Sequence, residues 1–163
     1  NYEGTKIGPA NVLKDVYEDS SKVKFMSAVA HKDKIAQVKV IATEDIFSRI
    51  LNEMEDRHIN MDMINFFTEK KAFALDVSNL EEVENILKQY DVEYEIKPDC
   101  AKVTLIGNKV TETPGVIAKI MRALNAENVT LLQSSDSYNS LSCLVDEKDM
   151  VTTVHVIHNA FSV

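Results

Sequence analysis

The feature that most constrains this chain is a repeat. Ile46, Phe47, Ile50, Leu51 and Met54 stand at i, i+1, i+4, i+5 and i+8, the spacing of one apolar helix face. Val116, Ile117, Ile120, Met121 and Leu124 repeat that spacing seventy residues later. Short alternating segments surround both stripes, so the 163 residues divide into two small units of one plan.

In the first half, Val23, Phe25, Ser27 and Val29 alternate with Lys22, Lys24 and Met26, and Ala36, Val38 and Val40 alternate with Gln37 and Lys39. These predict strands over 23–30 and 36–40, followed by a helix over 45–57 and strands over 60–67 and 72–77. Ser78 opens a second helix, with Glu81 completing a capping box and Leu80, Val83, Leu87 and Tyr90 as its buried stripe. Val92, Tyr94 and Ile96 form a last strand before Pro98. In the second half, Ala101, Val103 and Leu105 predict a strand, and Thr113 and Pro114 supply a cap and first turn for the repeated helix. Strands over 129–133 and 141–145 follow, and Met150, Val151, Val154, His158 and Phe161 give a closing helix.

The order is β-α-β-β-α-β, then β-α-β-β-α without a final strand. A ferredoxin-like unit needs four strands to cover both its helices, and 23–30 is the strand left unassigned. It is expected to complete the second sheet. The fold class is therefore α+β, with two ferredoxin-like (βαββαβ) units in tandem, the first inserted within the second, held as one rigid body. The expected divisions are a linker over 1–21, a first unit over 35–97, and a second unit over 22–31 plus 98–163. The absence of an initiating Met suggests a piece of something longer.

Charge and composition narrow the function. Eighteen Lys and Arg against 26 Asp and Glu give −8, a field that repels phosphate backbones and anionic headgroups. No apolar stretch approaches the roughly 18 residues of a membrane span. Neither nucleic acid nor a membrane is expected as a partner. The four glycines form no phosphate-cradling loop, so nucleotide chemistry on this chain is not expected. Cys100 and Cys143 lie in alternating apolar segments without metal or redox spacing, and read as reduced core thiols of a cytoplasmic protein. His155 and His158 share a helix face but find no third ligand nearby, so no metal site is predicted. No nucleophile, base and orienting group assemble into a catalytic set.

Two segments carry a second reading. Residues 107–115 (GNKVTETPG) form either a proline-capped turn or a loop whose glycines admit a ligand and whose end, a helix N-terminus, receives a carboxylate. Residues 133–137 (QSSDS) are small and polar where an alternating strand should have continued, and supply what a zwitterion needs: acceptors for an ammonium and donors for a carboxylate. The repeat places a counterpart near 61–65, where Asp62 is either on the outer face or a ligand for an amine.

The phrases TPGVIAKIMRAL, INMDMINFF, LLQSSDS and SCLVDEKDMVTTVHVIHNAF, with the entry segment AVAHKDKIAQVKV, resemble the C-terminal regulatory region of bacterial aspartokinases. That region is a tandem of ACT domains, and QSSDS looks most like the diaminopimelate- or lysine-pathway isozymes. The resemblance implies a regulatory fragment that binds an amino-acid effector, dimerises and gives feedback inhibition. It lacks the kinase domain that would phosphorylate aspartate with ATP and Mg, so the fragment alone is expected to be inactive and cofactor-free. The implied effector residues are Asn108, Thr113, Pro114, Gly115, Val116, Gln133, Ser134 and Asp136 in the second unit, and Met61, Asp62 and Asn65 in the first. The implied partners are lysine, threonine or meso-diaminopimelate, a second copy meeting through apolar residues such as Phe66 and Met63, and the chain's own kinase domain. Where aspartokinases usually have a Pro-Gly turn in both units, the first unit here runs IATEDIF, shorter and without glycine. A ligand-free dimerisation module or a separately made regulatory beta subunit is the alternative.

Overall fold

The computed structural model describes residues 26–162; the expected linker over 1–21 and residues 23–25 of the first predicted strand lie outside them. The described residues form β1 (Met26–Ile41), α1 (Glu44–Asp56), β2 (Asp62–Phe66), β3 (Lys70–Asp76), α2 (Leu80–Gln89), β4 (Glu93–Gly107), α3 (Val116–Ala126), β5 (Gln133–Ser137), β6 (Ser140–Asp146) and α4 (Met150–Phe161). The strands make one antiparallel sheet in the order β2-β3-β1-β4-β6-β5.

Two long strands join the units. The second half of β1 pairs with β3 and with the start of β4, while its first half pairs with the end of β4 from Lys102 to Gly107. Each unit thus has four strands, and the first lies inserted in the second. The strands expected over 23–30 and 36–40 are one continuous β1 across the described residues, because β4 offers partners along its whole length. Lys34 takes a positive φ of 57° where the register shifts, between Lys32 and Gln37. Nor does Pro98 end the preceding strand. It falls between the paired residues Lys97 and Cys100, where the ladder skips and its missing N–H is not needed.

Two apolar clusters lie under the helices, one per unit. Val38, Val40, Phe47, Ile50, Met54, Phe73 and Leu87 belong to the first; Val103, Leu105, Ile120, Leu124, Cys143 and Ile157 belong to the second. A smaller cluster of Ile35, Met63, Ala74, Cys100 and Leu144 fills the junction. Met63 is 3% exposed there, so it is not available for a surface between copies; Phe66, at 58%, is.

Several local expectations change. Ser78 does not cap α2: the Asp76 carboxylate accepts from the Ser78 amide, a 3₁₀ turn (Val77–Asn79) intervenes, and α2 starts with no side-chain cap. On α4, Thr153 and Ile157 are the buried residues, whereas Val151 and His158 are exposed. The helix is apolar on more than one face, so spacing alone did not select which one the sheet covers. The QSSDS stretch does not interrupt a strand. It is β5, polar because it lies at the sheet edge.

Candidate functional site

The connection from β4 to α3 builds one wall of a cleft. After Gly107 the chain makes a 3₁₀ turn (Val110–Glu112) that buries Val110, and Gly115 then turns into α3 with φ of 84°. Thr113 therefore does not cap the helix. Its hydroxyl donates to the Lys109 carbonyl at 2.8 Å, and the N-cap is Gly115, which has no side chain to offer. The first amides of α3 are left without a side-chain acceptor, at the positive end of the helix dipole.

Opposite them stands β5. Successive side chains leave a strand on opposite faces. Ser134 and Asp136 pair with Cys143 and Leu141 and point to the helix side; Gln133 pairs with Leu144 and points to the other unit. A cleft of about 390 Å³ results, lined by Val110, Thr113, Gly115, Val116, Ser134 and Asp136 among others. It holds unpaired helix amides on one wall and a carboxylate with a hydroxyl on the other. A carboxylate fits the first and an ammonium the second.

Of the expected second-unit residues, Thr113, Pro114, Gly115, Val116, Ser134 and Asp136 line this cleft, while Asn108 is exposed and lies outside its lining. Gln133 goes elsewhere. Its amide nitrogen donates to Asn65 Oδ1 at 2.6 Å and to the Met63 carbonyl, and its oxygen accepts from Gln37 Nε2 at 2.8 Å. It ties the edge strand of one unit to that of the other. Thr111, Ile117 and Leu141 also line the cleft without having been expected. The 3₁₀ turn that buries Val110 and brings Thr111 to the cleft has no clear mark in the sequence.

The first-unit residues are dispersed. Met61 and Asp62 line a junction cleft of about 340 Å³ with Lys32, Asp76 and Lys102. Partial burial would push the Asp62 carboxyl up, but its hydrogen bond to the Lys102 ammonium, aided by the Met63 amide, holds it below the usual carboxylate range. Asn65 lines a third cleft, also of about 340 Å³, with Gln37, Lys39, Lys70 and Gln133. The β1–α1 connection is only Ala42 and Thr43, and the Thr43 hydroxyl caps α1 by accepting from Ile46 N. Among the described residues no three His, Cys, Asp or Glu side chains group as a metal site, and no helix is long and apolar enough to cross a membrane.

Comparison with known proteins matches this architecture. Residues 95–159, the strand–helix half that builds the cleft, match the ACT domain family, and the fold of the described residues is α+β. Its relatives are aspartokinases. It is 27% identical to aspartokinase 1 of Bacillus subtilis (strain 168), over 99% of this chain and 38% of that protein. It is 29% identical to the aspartokinase of Geobacillus stearothermophilus, over 84% of this chain and 36% of that protein. The chain thus spans less than two-fifths of the length of these curated relatives. Among solved structures, a chain from aspartokinase alpha and beta subunits matches with a TM-score of 0.77 and 26% identity, covering 85% of this chain and 99% of that one. The ligand-free regulatory subunit of aspartate kinase from Thermus thermophilus shares the fold, with a TM-score of 0.77, 23% identity, and coverage of 83% and 99%.

Proposed function

We propose that this chain is the amino-acid-sensing regulatory region of an aspartokinase and that it confers feedback inhibition on a kinase domain. One observation carries the reading: a cleft where uncapped amides of a helix N-terminus face a carboxylate across the sheet edge. That is the charge pattern of a free α-amino acid, whose carboxylate goes to the amides around Val116 and whose ammonium goes to Asp136, with the Ser134 hydroxyl alongside. The kinase domain would supply ATP, Mg and aspartate chemistry; this chain contributes binding energy only. An effector shifts such an enzyme by its differential affinity for two states. Gln133, next to Ser134 in β5, offers the route by which occupancy reaches the first unit.

The ligand side chain selects among lysine, threonine and meso-diaminopimelate. For diaminopimelate, Lys109 at the start of the 3₁₀ turn or a group from a second copy would take the second carboxylate. Pairing of two copies along sheet edges, with Phe66 and its exposed neighbours Ile64 and Phe67, would give the dimer.

Calorimetric titration with each of the three amino acids, alongside sedimentation mass, tests the proposal. Saturable binding of one by a dimer, lost in Asp136→Ala, is the expected result. An intact dimer that binds none of them would overturn the effector site and leave an assembly module.

A further inference from the structure

The two units differ in chemistry at one matched position. Near the end of each edge strand a residue pairs with its neighbour strand: Asp136 with Leu141 in the second unit, Phe66 with Lys71 in the first. The second unit thus sets a carboxylate beside an apolar side chain at its cleft. The first sets an aromatic ring beside an ammonium.

Lys71 is 0% exposed. A buried ammonium persists only where polar partners replace its water. Lys71 Nζ donates to the Ala42 carbonyl at 2.9 Å and to the Thr68 carbonyl at 3.0 Å, and Glu44 Oε1 stands 3.6 Å away. The Phe47 ring centroid lies 5.9 Å from it, within cation–π range. Two of its three donors are thus taken by carbonyls, and a carboxylate stands at ion-pair distance. Ala42 and Glu44 flank the α1 N-cap, so these partners sit on the strand-to-helix connection, the element that lines the cleft in the second unit. A cation at a helix N-terminus opposes the dipole, which is why this one depends on the two carbonyls and the nearby carboxylate.

We propose that the first unit contains a binding cage for a primary ammonium, at the place equivalent to the second unit's effector cleft, and that the chain's own Lys71 occupies it. The first unit is filled from within; that the second takes its ammonium from solution rests on the proposed function. The cage stands on its own geometry, whatever ligand enters the second unit.

Chemical rescue tests this. Lys71→Ala removes the atoms from Cγ to Nζ, and n-propylammonium carries the same atoms. The thermal midpoint of Lys71→Ala should fall by roughly 5 °C or more and recover saturably with n-propylammonium chloride, but not with equal sodium chloride or with n-propanol. Lys71→Met, whose side chain fills the space, should show no such recovery. In the wild-type chain the Lys71 ammonium protons should exchange with water far more slowly than those of exposed Lys34, and this decides the matter if Lys71→Ala does not fold. Recovery equal in salt or propanol, recovery in Lys71→Met, or fast exchange at Lys71 would overturn the cage.

Discussion

Cys143 shows how far a single side chain can report on its surroundings. Burial alone pushes its thiol up to about 12. Cys100 is raised to about 11, chiefly by burial, with the nearby Lys97 ammonium pulling the other way. Both are free thiols in the core, as their alternating segments suggested. In the unfolded chain these thiols ionise near pH 9, while the folded chain still holds their protons. The group with the raised value stabilises the fold fully below pH 9, and that stability drains away as pH climbs toward 11 and 12. Urea midpoints should therefore decline between pH 9 and 11, and Cys143→Ala should decline less steeply; equal slopes would show that the thiol is not the source. Gln133 teaches the converse lesson. The sequence presented QSSDS as one polar patch for one ligand, but strand alternation sends Ser134 and Asp136 to the cleft and Gln133 to the other unit.

Among the elements, the entry into α3 decides the site. Gly115 sits at φ of 84°, and a Cβ built there meets nothing within 4 Å. Gly115→Ala thus incurs backbone strain without a clash, about 1–2 kcal/mol from the left-handed conformation. The expected result is a lower urea midpoint, with Gly115→Asn intermediate because asparagine tolerates that region better. An unchanged midpoint in Gly115→Ala would mean that the turn is not held at positive φ. The helices α1 and α3 were legible as elements because a five-residue apolar stripe has one helical explanation. Their caps were less so. Thr113 looked like an N-cap, yet the glycine two residues later takes that place, and nothing local distinguishes a capping hydroxyl from one bonded back to Lys109.

On the scale of the whole molecule, β1 and β4 each serve both units, and the Ile35–Met63–Cys100–Leu144 cluster lies where they cross. Neither unit keeps a four-stranded sheet if the other is lost. Denaturant unfolding should therefore be a single transition. Tyr90 and Tyr94 report on the first unit and Tyr138 on the second, so tyrosine fluorescence in single-tyrosine variants should give coincident midpoints for both. Two separated midpoints would show that the units fold independently despite the shared strands.

The repeat, the strand count and the need for a fourth strand in the second sheet were enough to define this architecture, because periodicity and strand pairing are rules of the backbone that a linear chain displays. Six residues that line the second unit's cleft, Thr113, Pro114, Gly115, Val116, Ser134 and Asp136, stood out in the sequence as part of a loop and a polar segment of unusual composition, whereas Asn108 and Gln133 from the same segments lie outside its lining. What needed the tertiary structure was every feature that depends on which residues meet across the sheet. Lys71 falls between the strands predicted over 60–67 and 72–77, and only the pairing with Phe66 and the approach of the β1–α1 connection bury its ammonium beneath a helix start. Burial and charge pairing are set by distant neighbours, and one residue's place in sequence carries no record of them.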